Sequence, residues 1–224
     1  MSLDWSILYW IQNHTVCDLF DLLMPQLTLL GSGGAIWLLA AGGMLCTKKY
    51  RRQGVILLAG LAVGVLVGNV CLKNLIARPR PCWLDDSVFM LISVPTDYSF
   101  PSGHTLASAI GATVLTKTDR RFGWAAIPIA VIIAFSRLYL FVHFPSDILA
   151  GAVLGVIIGE AAYRLGMRRS PARSMTNTPP PGDSLPHKKA PRSAPSRSLD
   201  AAPGRVLSVI PPRCASPPPA DGWR

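Results

Sequence analysis

Charge is scarce in this chain. Only 15% of its 224 residues are Asp, Glu, Lys or Arg, against about 25% in ordinary soluble domains. The mean hydropathy is +0.36, which argues against a cytosolic globule. Acidic residues are scarcer than basic ones, 12 against 22. No Lys or Arg precedes Lys48, so a cleavable signal peptide with a basic leading region is not expected. The five cysteines (Cys17, Cys46, Cys71, Cys82 and Cys214) are far apart, odd in number and form no Cys-x-x-Cys. Neither a zinc site nor a disulfide framework is signalled. Gly31-Ser32-Gly33-Gly34 is not followed by Gly-Lys-Ser or Gly-Lys-Thr, so it is not a phosphate loop of the nucleotide-binding kind.

The residues that are present divide the chain in two. Residues 170–224 hold 13 of the 20 prolines, eight Lys or Arg and three Asp or Glu. This segment has few aromatic or β-branched residues and no periodicity. It cannot bury enough apolar surface to offset its chain entropy, so a disordered, basic tail is expected. A Pro-binding partner or an anionic lipid surface would suit its composition, but a plain solvated appendage suits it as well. Residues 1–169 form the apolar body.

Gly54–Leu72 runs 19 residues without a charge, roughly 28 Å of helix and enough to cross the hydrocarbon core. Leu22–Cys46 is uncharged too. Phe122–Val142 is broken only by Arg137, and Ser146–Leu165 by Asp147, Glu160 and Arg164. Thr105–Thr116 is shorter and spans if its helix begins near Pro101. The expectation is an all-α polytopic membrane bundle of about five crossing helices, with six possible. Residues 1–20 mix Leu3, Ile7, Trp10 and Ile11 with Asp4, Gln12, Asn13 and Asp18, the pattern of an interfacial amphipathic helix. The domains are then 1–20 (interfacial), 21–169 (membrane) and 170–224 (tail).

Basic loops set the orientation. Lys48, Lys49, Arg51 and Arg52 form one cluster, Lys117, Arg120 and Arg121 a second, and Arg164, Arg168 and Arg169 a third. Five crossings place all three on one side, which the positive-inside rule makes cytoplasmic, together with the tail. The basic balance therefore reads as topology rather than nucleic-acid binding. Two ladders of glycine at every fourth position, Gly60-Gly64-Gly68 and Gly151-Gly155-Gly159, point to close helix packing in lipid.

A set of ionisable residues near the spans, where such groups usually carry function, clusters at their outer ends. They are Lys73, Arg78, Arg80, His104, Arg137, His143 and Asp147. Cations converging without a metal-ligand set suggest an anion such as phosphate. Ser102 is placed to cap a helix starting near Gly103, whose free N–H groups and dipole favour negative charge. Arg80 and Arg137 can fork onto phosphate oxygens, with Lys73 as a point charge. Asp147 can fix the tautomer of His143 and leave its other nitrogen free to attack. His104 can protonate a leaving oxygen.

Three motifs occur in order. Lys73 and Arg80-Pro81 form K-x6-R-P, Pro101–His104 form P-S-G-H, and Ser136-Arg137, His143 and Asp147 form S-R-x5-H-x3-D. Over roughly residues 31–169 the chain resembles the type 2 phosphatidic acid phosphatase family, which shares its site with the vanadium haloperoxidases. The resemblance implies an all-helical fold. It also implies hydrolysis of a phosphomonoester or pyrophosphate through a phosphohistidine, with no metal or cofactor. His143 is then the nucleophile, Asp147 its partner and His104 the general acid, while Lys73, Arg80, Ser102, Gly103 and Arg137 bind phosphate. Arg78 is not a motif position and reads as a lipid-headgroup contact.

The expected function is an integral lipid phosphatase of a bacterial-type plasma membrane, with its site facing outward. Its substrate would be undecaprenyl pyrophosphate, phosphatidate or phosphatidylglycerophosphate, with the lipid tail in the bilayer. Two rivals are a haloperoxidase-like enzyme, against which the spans speak, and a non-catalytic lipid-phosphate binder, which would not need an oriented imidazole.

Overall fold

The computed structural model describes residues 2–168. The Pro-rich tail expected from residue 170 lies outside the described residues.

Among the described residues all regular structure is helical. Helix α1 (Leu3–His14) is followed by α2 (Asp18–Gly31), a 3₁₀ turn at Ser32–Gly34, and α3 (Ala35–Cys46). Helix α4 (Arg51–Gly64) runs on through a π-helical stretch (Val65–Leu72) into α5 (Lys73–Ile76), and a short α6 (Pro81–Leu84) follows. The remaining helices are α7 (Gly103–Thr118), α8 (Arg120–Tyr139) and α9 (Pro145–Arg168). Four helical stretches are long and apolar enough to cross a membrane: Asp18–Cys46, Arg51–Leu84, Arg120–Tyr139 and Pro145–Arg168. The chain is thus a polytopic helical membrane protein.

Helix α7, the expected fifth crossing, has only 16 residues. It packs against α4, α8 and α9, and Leu106, Ile110 and Val114 are buried. Both glycine ladders face it. A Cβ on Gly155 would stand 2.6 Å from the Leu106 carbonyl oxygen, and one on Gly151 2.8 Å from that of Ser102. On the other flank a Cβ on Gly64 would stand 2.5 Å from the Ile110 side chain. The missing side chains let α9 and α4 close onto α7, where dispersion contacts replace the hydrophobic effect that lipid cannot supply.

The stretch 22–46, continuous in hydropathy, is broken in the structure. Gly33 and Gly34 take φ values of +59° and +73°, left-handed backbone that favours glycine. The 1–20 segment is also divided: α1 ends at His14 and residues 18–20 begin α2. Twelve residues give α1 about 18 Å, short of the hydrocarbon thickness. Its buried Leu8 and Ile11 face the protein, while Leu3 and Trp10 are exposed.

The basic clusters meet at one end of the bundle. Arg52 Nη2 donates to the carbonyls of Gly166 and Met167 at 2.7 and 2.8 Å. Tyr50 meets Phe122 edge-on, and Lys117 pairs with Glu160. The polar motif residues lie together at the opposite ends of the same helices.

Candidate active site

Each motif residue is delivered by a local break in helix geometry. The π-helical stretch widens the end of the second long helix, a deviation common at functional sites. It turns Asn69 and Lys73 into a cavity. Ala77, at φ +48°, then ends α5 in left-handed backbone and throws Arg78 and Arg80 sideways. Between α8 and α9 the chain turns at Leu140–Phe144, with Phe141 at φ +56°. For a bulky residue that conformation costs roughly 1–3 kcal/mol and persists only when its surroundings over-determine it. Here the Phe141 ring is buried against Trp5 and Tyr9 of α1, with ring centres 6.1 Å from each. The turn presents His143.

One cavity of about 630 Å³ brings together Lys73, Arg80, Gly103, His104, Arg137 and His143. Lys73, Arg80 and Arg137 are 7%, 2% and 4% exposed. Buried cations are costly unless an anion compensates them. Among the described residues a single carboxylate, Asp97, pairs with this group. It accepts from Lys73 Nζ and, at 2.7 Å, from Arg80 Nη2. The Asp97 carbonyl takes Arg80 Nε at 2.6 Å. Burial alone would raise the Asp97 carboxyl, but the Lys73 hydrogen bond and the Arg80 charge outweigh it and bring the pKa to about 2. Arg137 Nη1 donates to Thr28 Oγ1 at 2.5 Å, and its Nε is buried without a partner. The cluster keeps a surplus of positive charge.

His143 sits beside this charge. Arg80 Nη1 donates to its Nε2 at 3.1 Å and to the Val142 carbonyl at 2.7 Å. A guanidinium has no acceptor, so Nε2 offers its lone pair toward the cations and Nδ1 carries the proton. Nδ1 lies 3.7 Å from Asp147 Oδ2, beyond hydrogen-bond length. Ser99 Oγ bridges the gap, 3.4 Å from Nδ1 and donating to Asp147 Oδ2 at 2.5 Å. The Phe144 N–H also donates to Oδ2, at 2.9 Å. The arrangement leaves a fixed imidazole lone pair facing the cation-lined cavity.

His104 stands in the first turn of α7 on the same cavity. Its Nε2 is buried without a hydrogen-bond partner. The ring packs against Gly31, where a Cβ would come within 2.7 Å of its Cδ2. Gly31 thus shapes the site by close packing rather than by cradling phosphate.

Some expected roles are relocated. Ser102 stands at the N-cap of α7 and is fully buried, but its side chain makes no cap bond. It accepts instead from Thr105 Oγ1 at 3.1 Å. Gly103 is needed where a Cβ would meet Asn69 Oδ1 at 2.8 Å. Arg78 is not free for a lipid headgroup. It donates to Asp147 Oδ1 at 2.6 Å, Ser146 Oγ at 2.7 Å and Asp4 Oδ2 at 2.7 Å, because left-handed Ala77 turns it inward.

Asp4, Asp97, Ser99, Asn69 and Thr28 escaped the sequence reading. Ser99 adjoins the Pro101–His104 motif, and Asn69 is the lone amide in an apolar run, so both had a local signal. Asp4, Asp97 and Thr28 had none, since only tertiary folding brings them to the site.

Away from the charges the cavity is apolar. Leu38 of α3, Leu58, Leu61 and Ala62 of α4, and Leu106 and Ile110 of α7 line it. From Lys73 down to Leu58 is about 20 Å of helix. Leu38 and Val65 on its wall are about half exposed, so the slot opens sideways on the bundle.

Comparison with known proteins gives this geometry a setting. The chain is 35% identical over 121 residues to an undecaprenyl-diphosphatase of Sulfolobus acidocaldarius, covering 54% of this chain and 58% of that protein. It is 31% identical over 130 residues to the undecaprenyl-diphosphatase BcrC of Bacillus subtilis, covering 58% and 63%. The chain thus spans about three-fifths of the length of these curated relatives. The crystal structure of Aquifex aeolicus LpxE superimposes with a TM-score of 0.65 at 26% identity, covering 73% of this chain and 96% of that one. Residues 53–171, just over half of the chain and containing all three motifs, match the profile of the PAP2 superfamily. The chain belongs to the PAP2 superfamily.

Proposed function

We propose that this protein is a membrane phosphatase that removes a terminal phosphate from a lipid phosphate or pyrophosphate, with a polyprenyl pyrophosphate the favoured substrate. The observation that carries this is the cavity itself: three buried cations and two imidazoles at one end, and about 20 Å of apolar, side-opening slot at the other. The names of the two curated relatives support the polyprenyl choice. The headgroup binds at the cations while the chain lies along α3, α4 and α7 without leaving the bilayer.

His143 Nε2 attacks phosphorus in line, forming a P–N bond as the P–O bond to the leaving group breaks. His104 Nε2–H gives its proton to the departing oxygen. Lys73, Arg80 and Arg137 take up charge on the equatorial oxygens, the positive charge a metal would otherwise supply. The N–H groups at the α7 start, by Ser102 and Gly103, add the helix dipole. Water held by His104, now a base, then attacks phosphorus. The P–N bond breaks and phosphate departs. Asp147, through Ser99, holds the Nδ1 proton throughout.

By the basic clusters, the site faces outward across a bacterial-type plasma membrane and the loop ends face the cytoplasm.

Phosphate release in detergent from undecaprenyl pyrophosphate, phosphatidate and phosphatidylglycerophosphate tests the reading. The expected result is fastest turnover of the pyrophosphate, persistence in excess EDTA, and loss of at least about 10³-fold in His143→Ala. Wild-type turnover in His143→Ala, or loss in EDTA reversed by Mg²⁺, would overturn the mechanism. Bound vanadate with halide-dependent peroxide turnover would favour the haloperoxidase reading instead.

A further inference from the structure

Helix α1 lies outside the three motifs and outside the 53–171 family match, yet it reaches the dyad carboxylate through one arginine. Asp147 is fully buried, and its two oxygens have divided duties. Oδ2 takes Ser99, the Phe144 N–H and the His143 side. Oδ1 takes Arg78 Nη1 at 2.6 Å. The same guanidinium turns its Nη2 to Asp4 Oδ2 at 2.7 Å and stacks on the Phe144 ring, 4.0 Å from its centre. Asp4 also accepts from the Ser146 N–H at 3.0 Å and from Ser146 Oγ at 2.6 Å, so it grips the first turn of α9 directly. A planar fork held by a carboxylate on either side has little freedom to rotate. The aromatic face of α1 holds the same turn from above, where Trp5 meets Phe144 edge-on at 5.1 Å.

We propose that Arg78 and Asp4 are positioning residues for this reaction: Asp4 on α1 holds Arg78, Arg78 holds Asp147, and Asp147 aims the imidazole of His143. Neither residue lines the cavity that holds the phosphate-binding cations. Their loss therefore lowers the rate of the chemical step and leaves substrate binding unchanged. The proposal rests on the reading of His143 as nucleophile. It gives α1 a duty beyond lying at the membrane surface: it closes the back of the site.

Steady-state phosphate release from undecaprenyl pyrophosphate in detergent, with vanadate inhibition alongside, separates the possibilities. Asp4→Asn and Arg78→Gln keep the side-chain shapes nearly constant. Both should lower kcat by about 10- to 100-fold, the range for outer partners that orient a reacting imidazole. KM should stay within about two-fold, while the inhibition constant of vanadate, which mimics the transition state at the aimed imidazole, should rise in step with the fall in kcat. Because both act along one path, Asp4→Asn should add nothing in an Arg78→Gln background. Asp4→Glu should recover most of the lost rate. Elution profile and unfolding midpoint of each variant confirm that kcat is read on folded protein. If Asp4→Asn itself fails to fold, Arg78→Lys, which keeps the charge but loses the two-sided fork, gives the same KM-against-kcat split. A raised KM with unchanged kcat would make Arg78 a headgroup contact. Multiplying effects in the double variant would make the two residues independent. Either result overturns the proposal. An active His143→Ala would instead overturn the nucleophile assignment and leave the Asp4–Arg78–Asp147 contacts a matter of stability.

Discussion

At Asp97 the pull of the surrounding charges can be read as a pH dependence. The carboxyl is lowered from its ordinary 3.8 to about 2. A depressed acid stabilises the folded state fully above its unfolded value, and the effect fades as pH falls through the folded value. The unfolding midpoint of the wild type should therefore exceed that of Asp97→Asn by a constant margin above about pH 5. That margin should shrink between 3.8 and about 2. A margin that grows on acidification would show that Asp97 is not held by Lys73 and Arg80. On the proposed reading, Asp97 is also the group an incoming phosphate would displace, since it occupies donors on both cations. Asp4 follows the same logic. Burial opposes its charge, and Ser146 and Arg78 prevail, so its carboxyl is lowered too.

Among the elements, α7 contributes Gly103 and His104 to the cavity, and the glycines of α9 set how closely the two helices pack. A Cβ at Gly155 would meet backbone, the Leu106 carbonyl at 2.6 Å, and backbone cannot rotate away. Gly155→Ala should therefore part α7 from α9 and destabilise the bundle by about 1–3 kcal/mol, read as a lowered unfolding midpoint in detergent. Gly31→Ala meets the His104 ring and the Ile133 side chain, both at 2.7 Å. It should move the imidazole more than the helices, so kcat falls while the midpoint changes little. Equal midpoint losses in both variants would contradict this division between a packing glycine and a site-shaping one.

Over the whole molecule the charge is sorted by end. Arg52 capping the end of α9, and Lys117 pairing with Glu160, hold the basic loops on one side. The buried cations lie at the other ends of the same helices. A reporter fused after Arg169 should read cytoplasmic, since clusters within a few residues of the spans dominate orientation. A periplasmic signal would reverse the direction in which the site faces.

Much of this was legible from residue order. Long uncharged runs form helices in lipid because a single segment can satisfy its own backbone there in no other way. Glycines at every fourth position share one helix face by geometry alone, and both ladders do press onto α7. The three motifs placed His104, His143 and the three cations before any fold was known, because each motif is short enough to be set by local backbone. Residues whose meaning depends on distant partners stayed hidden. Asp97 comes from a loop, Thr28 from a helix whose break at Gly33 and Gly34 hydropathy does not register, and Asp4 from far upstream. Arg78 reads as a surface cation until the left-handed turn at Ala77 is known. The sequence by itself determined the membrane bundle, its charge asymmetry and the candidate site residues, since these follow from composition, local periodicity and short motifs. Only the tertiary structure decided which carboxylates meet Lys73, Arg78 and Arg80, which nitrogen of His143 faces the pocket and that Asp4 of α1 reaches Asp147 through Arg78, because those depend on contacts between segments that no local pattern encodes.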